Sequence, residues 1–462
     1  MLRDRAAPID LFALVPALEL RFEPELAELD RLLEDDGLFE HIKAGLSRRW
    51  PHTTVTGRPS TPVEVVLRVL VIQHLYAWSY AQAEHFIGDS LVLRQFCRLG
   101  FEPMPHHTTL MRWANAVHPE TLHALLDRVT ELARSLKVTR GRKLRIDSTA
   151  VETTIHHPSD SGLLADGVRV LSRLVRRAGV LLRRPGVDGA LFRDRTRSAK
   201  RLARRIHASA ANSRATGGAE RTSLYQHLLR VTQSSLSQAA LVEKLLKRRT
   251  TAAAQRLRAH LARFQPLVQQ VCAQAQRRVL SGESVPAGDK LVSLFEPHTA
   301  VIRRGKLPLP TEFGSKVVLD EVDGGLVTRY AILAGNPPDA PNLPESLDHH
   351  CARFARAPAV LAADRAFATT SNEQYAQRQG VGCVTLPHQG PLSGSRRRLE
   401  QHPTFRRACR FRAGIEGRIS VLKRRFGLRR CRYHGPAGME RWVGWGILAH
   451  DLRQISRFAA SR

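Results

Sequence analysis

Leu144-Arg145-Ile146-Asp147-Ser148-Thr149-Ala150-Val151-Glu152-Thr153 alternates in polarity and is rich in β-branched residues, which predicts a strand. Asp147 stands in the middle of it, where a carboxylate is costly unless it is paired or bound to a metal. A second run, Ala357-Pro358-Ala359-Val360-Leu361-Ala362-Ala363, has the apolar character of a short buried strand and ends at Asp364-Arg365. Carboxylates at the C-terminal ends of such strands open into a crevice. A third segment, Arg412-Ala413-Gly414-Ile415-Glu416-Gly417-Arg418-Ile419-Ser420-Val421-Leu422-Lys423, is helical in pattern. Offsets of 4 and 11 residues return to within about 40° of the starting direction, so Arg412, Glu416 and Lys423 share one face.

Around these segments lies a strongly basic chain. The 462 residues carry 72 Lys plus Arg against 42 Asp plus Glu, a formal charge of +30, and self-repulsion on that scale is relieved by a polyanion. The charge runs along the whole length and is mostly Arg, which favours the phosphates of nucleic acid over a membrane surface. The longest apolar stretch, Val63 to Ala77, is broken by Glu64, Arg68, Gln73 and His74 and falls short of a bilayer span. The beginning of the chain lacks a signal-peptide pattern. Six cysteines without a C-x-x-C pair argue against a zinc site or a disulfide framework and for reduced thiols, so the expected location is cytoplasmic, associated with the nucleoid.

Residues 1–137 read as helical, with breaks at Trp50-Pro51, Gly57-Arg58-Pro59 and Gly100. Thr61 as N-cap, Pro62 at N1 and Glu64 at N3 mark a helix start, and short helices follow around Tyr80–Gly88, Leu91–Leu99 and Thr108–Val117. This fits a helix-turn-helix-like unit in which His106 to Asn115 offers Arg112 and Asn115 to DNA, or a bundle that simply packs on the next domain. From 163 to 285 the helical period returns. Between Arg169 and Arg278 there are 25 Lys/Arg and four acids (Asp188, Asp194, Glu220, Glu243), a single-sign block that points to DNA contact. Strands are then expected at Lys290–Phe295, Thr299–Arg303, Lys316–Glu321, Val327–Leu333, Val360–Ala363 and Val381–Leu386, with turns at Gly305, Gly324-Gly325 and Gly335-Asn336-Pro337. Strands on both sides of a long helical stretch imply one interrupted α/β domain: an all-α N-terminal domain (1–137), a core from 138–162 and 286–462, and a basic helical insertion at 163–285.

With the three acid segments in view, the sequence resembles the DDE transposases of bacterial insertion sequences, whose catalytic core is RNase H-like. The family signature Y-x2-R-x3-E-x6-K is matched by Cys409-x2-Arg412-x3-Glu416-x6-Lys423, followed by Arg424-Arg425-Phe426-Gly427-Leu428, with Cys409 where tyrosine is usual. The D-R/x-G-[YF] context of the second acid is matched by Asp364-Arg365-Ala366-Phe367, with alanine for glycine. A conformation with positive φ would be strained at Ala366. The first-acid region, from Asp147-Ser148-Thr149 through His156-His157-Pro158 to Leu164-x-Asp166-Gly167-Val168-Arg169, looks close to the ISNCY-like subgroup. The acids are 364 − 147 = 217 and 416 − 364 = 52 residues apart, and the first interval leaves room for the insertion.

The resemblance implies a catalytic and metal-binding triad of Asp147, Asp364 and Glu416. It implies two Mg²⁺ ions, replaceable by Mn²⁺, and double-stranded DNA with terminal inverted repeats as substrate. A target DNA and a homodimer in the synaptic complex complete the expected partners. Arg412, Lys423, Arg112 and Arg365 are the candidate phosphate contacts. The rival class is a degenerate relative kept for DNA binding alone, for which Ala366 and Cys409 are the grounds. Other residues read more plainly. Asp160 and Asp166 suit caps, His156 and His157 a polar loop, and Asp320, Asp323 and Asp339 turns. Trp442 and Trp445 could stack on a base, but their helical spacing suits a core.

Overall fold

The strand expected around Asp147 is β1 (Lys143–Thr153), and its alternation puts Leu144 and Ile146 into the hydrophobic core while Arg145 and Asp147 take the opposite face. The computed structural model describes residues 1–5, 22–49, 52, 55–57, 60–182, 192–211, 217–303 and 311–462. The expected breaks at Trp50-Pro51 and Arg58-Pro59 and the turn at Gly305 lie outside them. The chain divides into two units, one formed by Met1–Glu152 with Ser315–Arg462, the other by Thr153–Gly314.

In the first unit, β1 is preceded by α1 (Pro24–Leu32), α2 (Asp36–Ser47), α3 (Val63–Leu75), α4 (Tyr80–Asp89), α5 (Leu91–Phe96), α6 (His107–Ala116) and α7 (Pro119–Ser135). Helix α3 starts one residue later than the sequence pattern implies. Pro62 is its N-cap in an extended conformation and no side chain caps it. Nor is α3 merely striped. It is buried on nearly every side, and the wholly buried Arg68 ion-pairs with Asp30 (2.5 Å) and Glu64 (3.2 Å).

The second unit contains α8 (Asp160–Leu182), α9 (Thr196–Ala211), α10 (Gly217–Lys247) and α11 (Ala252–Ala275), followed by β2 (Ala300–Arg303). Leu164, Leu171, Leu228, Val242, Leu261 and Val268 build its own apolar core. The strand expected at Lys290–Phe295 does not form. Leu291 and Leu294 instead pack into this helical core, and the Gln274 side chain takes the backbone N–H of Leu291, a donor that a ladder would need. β2 pairs antiparallel with the start of β3 (Thr311–Val322), Ala300 opposite Gly314 and Arg303 opposite Thr311.

Back in the first unit come β4 (Leu326–Leu333), α12 (Leu343–Phe354), β5 (Val360–Ala363), α13 (Thr370–Arg378), β6 (Cys383–Thr385), α14 (Gly394–Gln401), α15 (Pro403–Arg425), β7 (Arg430–Cys431) and α16 (Gly435–Ala460). The sheet is mixed. β3 lies beside β1 and pairs antiparallel with β4, while β5 is parallel to β1 and β6 parallel to β5, and β7 adds to β1. The result is an α/β core with extensive helical regions.

Gly324 and Gly325 turn the β3–β4 hairpin with φ of +89° and +76°. Asp323 pins that turn to the start of β1 by accepting the backbone N–H groups of Arg140 (3.0 Å), Arg142 (2.7 Å) and Lys143 (3.1 Å). Asp320 is not a turn residue. It is buried on β3, takes a hydrogen bond from Ser346 (2.9 Å) and pairs with Arg329 (3.4 Å). Asp339 precedes a short 3₁₀ turn and pairs with Lys316 (2.9 Å). Among the described residues no helix is long and apolar enough to cross a membrane.

Gly141, at the entry to β1, has φ +60°, and a Cβ there would land in the Phe354 ring. Gly141→Ala is expected to lower unfolding stability by roughly 1–3 kcal/mol in urea titration, combining left-handed strain with overpacking. A loss below about 0.5 kcal/mol, the size of an ordinary surface change, would contradict that packing.

Candidate active site

Asp147 and Asp364 owe their relation to the register of two parallel strands. Lys143 pairs with Val360 and Ile146 with Ala363, so the next residues in each chain, Asp147 and Asp364, stand side by side. Adjacent strands run about 4.8 Å apart. Asp147 Oδ1 accepts the Ser148 N–H at 2.7 Å, and Asp364, at the cap of the 3₁₀ turn Arg365–Phe367, accepts the Arg365 N–H. Both carboxylates are half-buried. Ala366 lies within that right-handed turn and has no positive φ, so the missing glycine brings no strain.

Helix α15 holds Glu416, the single acid in a helix with eight Lys/Arg. Its side chain is 64% exposed and meets Arg412 at 3.4 Å, one turn earlier. Lys423 lies on the same helix, near its end. α15 packs against β5 and β6. It is also tied to β1 through Arg145, two residues before Asp147 and on the same strand face: Arg145 Nη1 donates to the Phe411 carbonyl at 2.5 Å, with the guanidinium 4.7 Å from the Phe411 ring centre. Gly414 permits this approach, because a Cβ there would collide with the Arg145 guanidinium.

Behind this layer is Glu321 on β3, wholly buried. Its Oε2 accepts Arg145 Nε (2.9 Å), and its Oε1 accepts both Arg145 Nη2 (2.5 Å) and Arg418 Nε (3.2 Å). One carboxylate therefore joins the strand that bears Asp147 to the helix that bears Glu416, through residues two positions from each. Arg418 Nη1 continues the chain to His450 Nε2 (2.8 Å), and His450 Nδ1 donates to Asp451 (2.7 Å), which accepts the Val327 N–H (3.1 Å). That order fixes the His450 tautomer with its proton on Nδ1. Burial pushes the Asp451 carboxyl up, and the His450 hydrogen bond opposes it.

The other candidates fall as follows. Arg365 and Arg112 are exposed, Arg112 on α6, where Asn115 is already engaged by Arg441 (3.0 Å). Cys409 is partly buried on α15, and burial raises its thiol pKa against the pull of Arg412. Trp442 and Trp445 are buried in α16 and belong to the core, not to a base-stacking surface. Asp160 is no cap: Ser159 accepts the Gly162 N–H (3.1 Å), whereas buried Asp160 binds Gln274 and Arg278. Asp166 pairs with Arg169 (2.8 Å), and His156 and His157 are exposed in a loop.

Among the described residues, Glu84, His106 and His107 are the one group of three ligating side chains whose atoms lie within 4.8 Å of one another. Capping accounts for it: Glu84 accepts both the backbone N–H (2.8 Å) and Nδ1 (2.6 Å) of His107 at the start of α6, and these bonds hold its carboxyl below the usual range. The carboxylates of Asp147, Asp364 and Glu416 are spread more widely. Glu321, Arg145 and Arg418 escape sequence reading as site residues. The available signal is an arginine two places from a strand aspartate and a glutamate inside an apolar strand, each costly without the other.

Two family descriptions match the chain. Residues 17–116 match "Transposase domain (DUF772)" and residues 318–452 match "Transposase DDE domain". The second match contains Asp364 and Glu416. A curated relative, the uncharacterized protein ORF8 in the nfe locus of Rhizobium meliloti, is 26% identical over 135 residues, 28% of this chain. The match spans 64% of that protein's length. No solved structure matches.

Removing Glu321 leaves two largely buried guanidinium groups, Arg145 and Arg418, without their carboxylate. Glu321→Ala is expected to cost about 3–5 kcal/mol in urea unfolding, and a cost under about 1 kcal/mol would show that the network is not what holds α15 to the sheet.

Proposed function

Because the chain belongs to the DDE transposases of insertion sequences, we propose that it cuts the ends of its element and joins them to a new site, with Asp147, Asp364 and Glu416 as the catalytic carboxylates. The observation that carries this is the strand register that sets Asp147 beside Asp364, directly after the stretch over which β1 and β5 pair in parallel. The same arrangement supports an RNase H-like reading of the core, with residues 163–285 as a basic insertion that grips DNA.

The residues fit a divalent-metal site. The donors are carboxylate oxygens, the ligands that Mg²⁺ and Mn²⁺ prefer, and a site for two ions separated by roughly 3.5–4 Å needs its ligands spread, not gathered on one point. Asp147, Asp364 and Glu416 would hold the metal. When bound, the ions neutralise the charge that develops on the attacking and leaving oxygens.

The chain's own groups do the rest. Arg412 and Lys423 bind non-bridging phosphate oxygens, Arg365 contacts the adjoining backbone, and the Glu321 network keeps β1 and α15 from drifting apart as DNA enters. Water attacks phosphorus, the bond to the 3′-oxygen breaks, and that oxygen leaves as a 3′-hydroxyl opposite a 5′-phosphate. The 3′-hydroxyl then attacks a phosphodiester of the target, forming one P–O bond as another breaks, so no external energy source is needed. The substrates are double-stranded DNA with terminal inverted repeats and a target duplex. Two ends must be handled together, which calls for a homodimer. Neither Ala366 nor Cys409 favours a binding-only relative, since the first is unstrained and the second supplies no metal ligand.

Asp147→Asn is expected to abolish cleavage of end-bearing DNA in Mg²⁺ while leaving duplex affinity intact, measured by strand nicking and by fluorescence anisotropy. Retained cleavage would remove Asp147 from the mechanism.

A further inference from the structure

The helical second unit contains a polar pocket of about 490 Å³, large enough for a phosphate with its sugar. It is lined by Arg221, Thr222 and Tyr225 of α10, by Arg278, and by Ser284 and Lys290. Arg278 is held in place from beneath. Asp160, 6% exposed, uses one oxygen to accept Gln274 Nε2 (2.7 Å) and the other to accept Arg278 Nη1 (2.7 Å), so a buried carboxylate orients a guanidinium that is still 40% exposed. Arg278 also sits in a π-helical turn, Gln276–Leu280, directly after α11. Such turns are rare and recur at functional sites.

The charges in the pocket do not cancel. Glu283 is taken up by Arg277 (2.8 Å) and Asp160 by Arg278, whereas Arg221 and Lys290 have no carboxylate partner among the described residues. Arg221 rests on the Tyr225 ring, 5.9 Å from its centre. The Lys290 ammonium is pulled below its ordinary pKa by burial and then by repulsion from Arg278 and Arg303, against the attraction of Asp160. Cations kept together at this cost, in a pocket that Thr222 and Ser284 also line, form a cradle for an anion with several acceptor oxygens.

We propose that this pocket is a phosphate-binding site, with Arg278 as its preoriented fork and Arg221 and Lys290 closing on the same group, and that its natural occupant is a backbone phosphate of the bound duplex. The proposal rests on the DNA-handling reading above and gives the basic second unit a defined grip in place of a diffuse one.

The test uses the full chain in EDTA, so that binding is read without cleavage. The probes are a fluorescein-labelled duplex across a salt series and, as competitors, inorganic phosphate and adenosine monophosphate. Arg221→Ala/Lys290→Ala is expected to weaken duplex binding about tenfold at 0.1 M salt and to flatten the salt dependence by about one unit of slope. Asp160→Asn raises the net charge, so diffuse attraction predicts equal or tighter binding, whereas loss of the Arg278 anchor predicts weaker binding. Melting curves check that each variant is folded, and the double variant, with exposed or half-buried side chains, stands if Asp160→Asn does not fold.

If adenosine monophosphate displaces the duplex from the wild type but not from the double variant, the pocket also takes free phosphate esters. Insensitivity to it, together with the weakened duplex, assigns the site to the DNA backbone alone. Wild-type affinity, slope and competitor response in the double variant would overturn the pocket. Mg²⁺ cleavage by the wild type is measured in parallel. Cutting with an indifferent pocket refutes only this proposal, while weakened binding without any cutting refutes only the transposition reading.

Discussion

A single buried carboxylate, Glu321, holds together the two elements on which the candidate active site is built. Arg145 and Arg418 reach it from β1 and α15, and each lies two residues from a proposed catalytic acid. In water such a pair of contacts would contribute little. Inside the protein the three charges cannot be separated without leaving at least one of them desolvated and alone, so the spacing between strand and helix is set by an interaction that is costly to loosen. The side chains proposed to meet metal and DNA have no such constraint. Glu416 is largely exposed and Arg365 exposed, which suits the proposed task of engaging an incoming substrate over a rigid base.

The sheet supplies the other half of the arrangement. Parallel pairing of β1 with β5 brings together residues 217 positions apart (364 − 147), and the register places the two aspartates at the same level. The glycines act where backbones or charges come close: Gly141 at the start of β1 against Phe354, Gly414 on α15 against Arg145. Most of the intervening chain, positively charged and helical, forms a unit with its own apolar core.

Much of the fold could be read from local pattern because the pattern was strong. Val360–Ala363 forms the expected strand, β1 begins within one residue of the alternating run, and the Arg412-to-Lys423 spacing falls on one helix. Where local pattern failed, a distant partner had decided the outcome. Lys290–Phe295 has strand-like residues, but the helical core claims Leu291 and Leu294. Asp160 looks like a cap in sequence and is the anchor of Arg278, 118 positions away. Glu321 was invisible as a site residue because its partners lie 176 and 97 residues from it, and nothing in Val317-Val318-Leu319-Asp320-Glu321 announces which of two neighbouring acids will be paired with which arginine. The roles of Asp147, Asp364 and Glu416 rest on family signature and register together, since Glu416 by itself has the geometry of a surface ion pair.

The most direct measurement of the central claim is where metal ions sit. Fe²⁺ substituted for Mg²⁺ in the full chain, with ascorbate and peroxide, cuts polypeptide next to its binding site, and the fragments can be mapped by mass spectrometry. The account predicts cuts clustered around Asp147, Asp364 and Glu416 that Mg²⁺ suppresses in competition. Cuts confined to the region of Glu84 and His106, with the three acid segments intact, would contradict it.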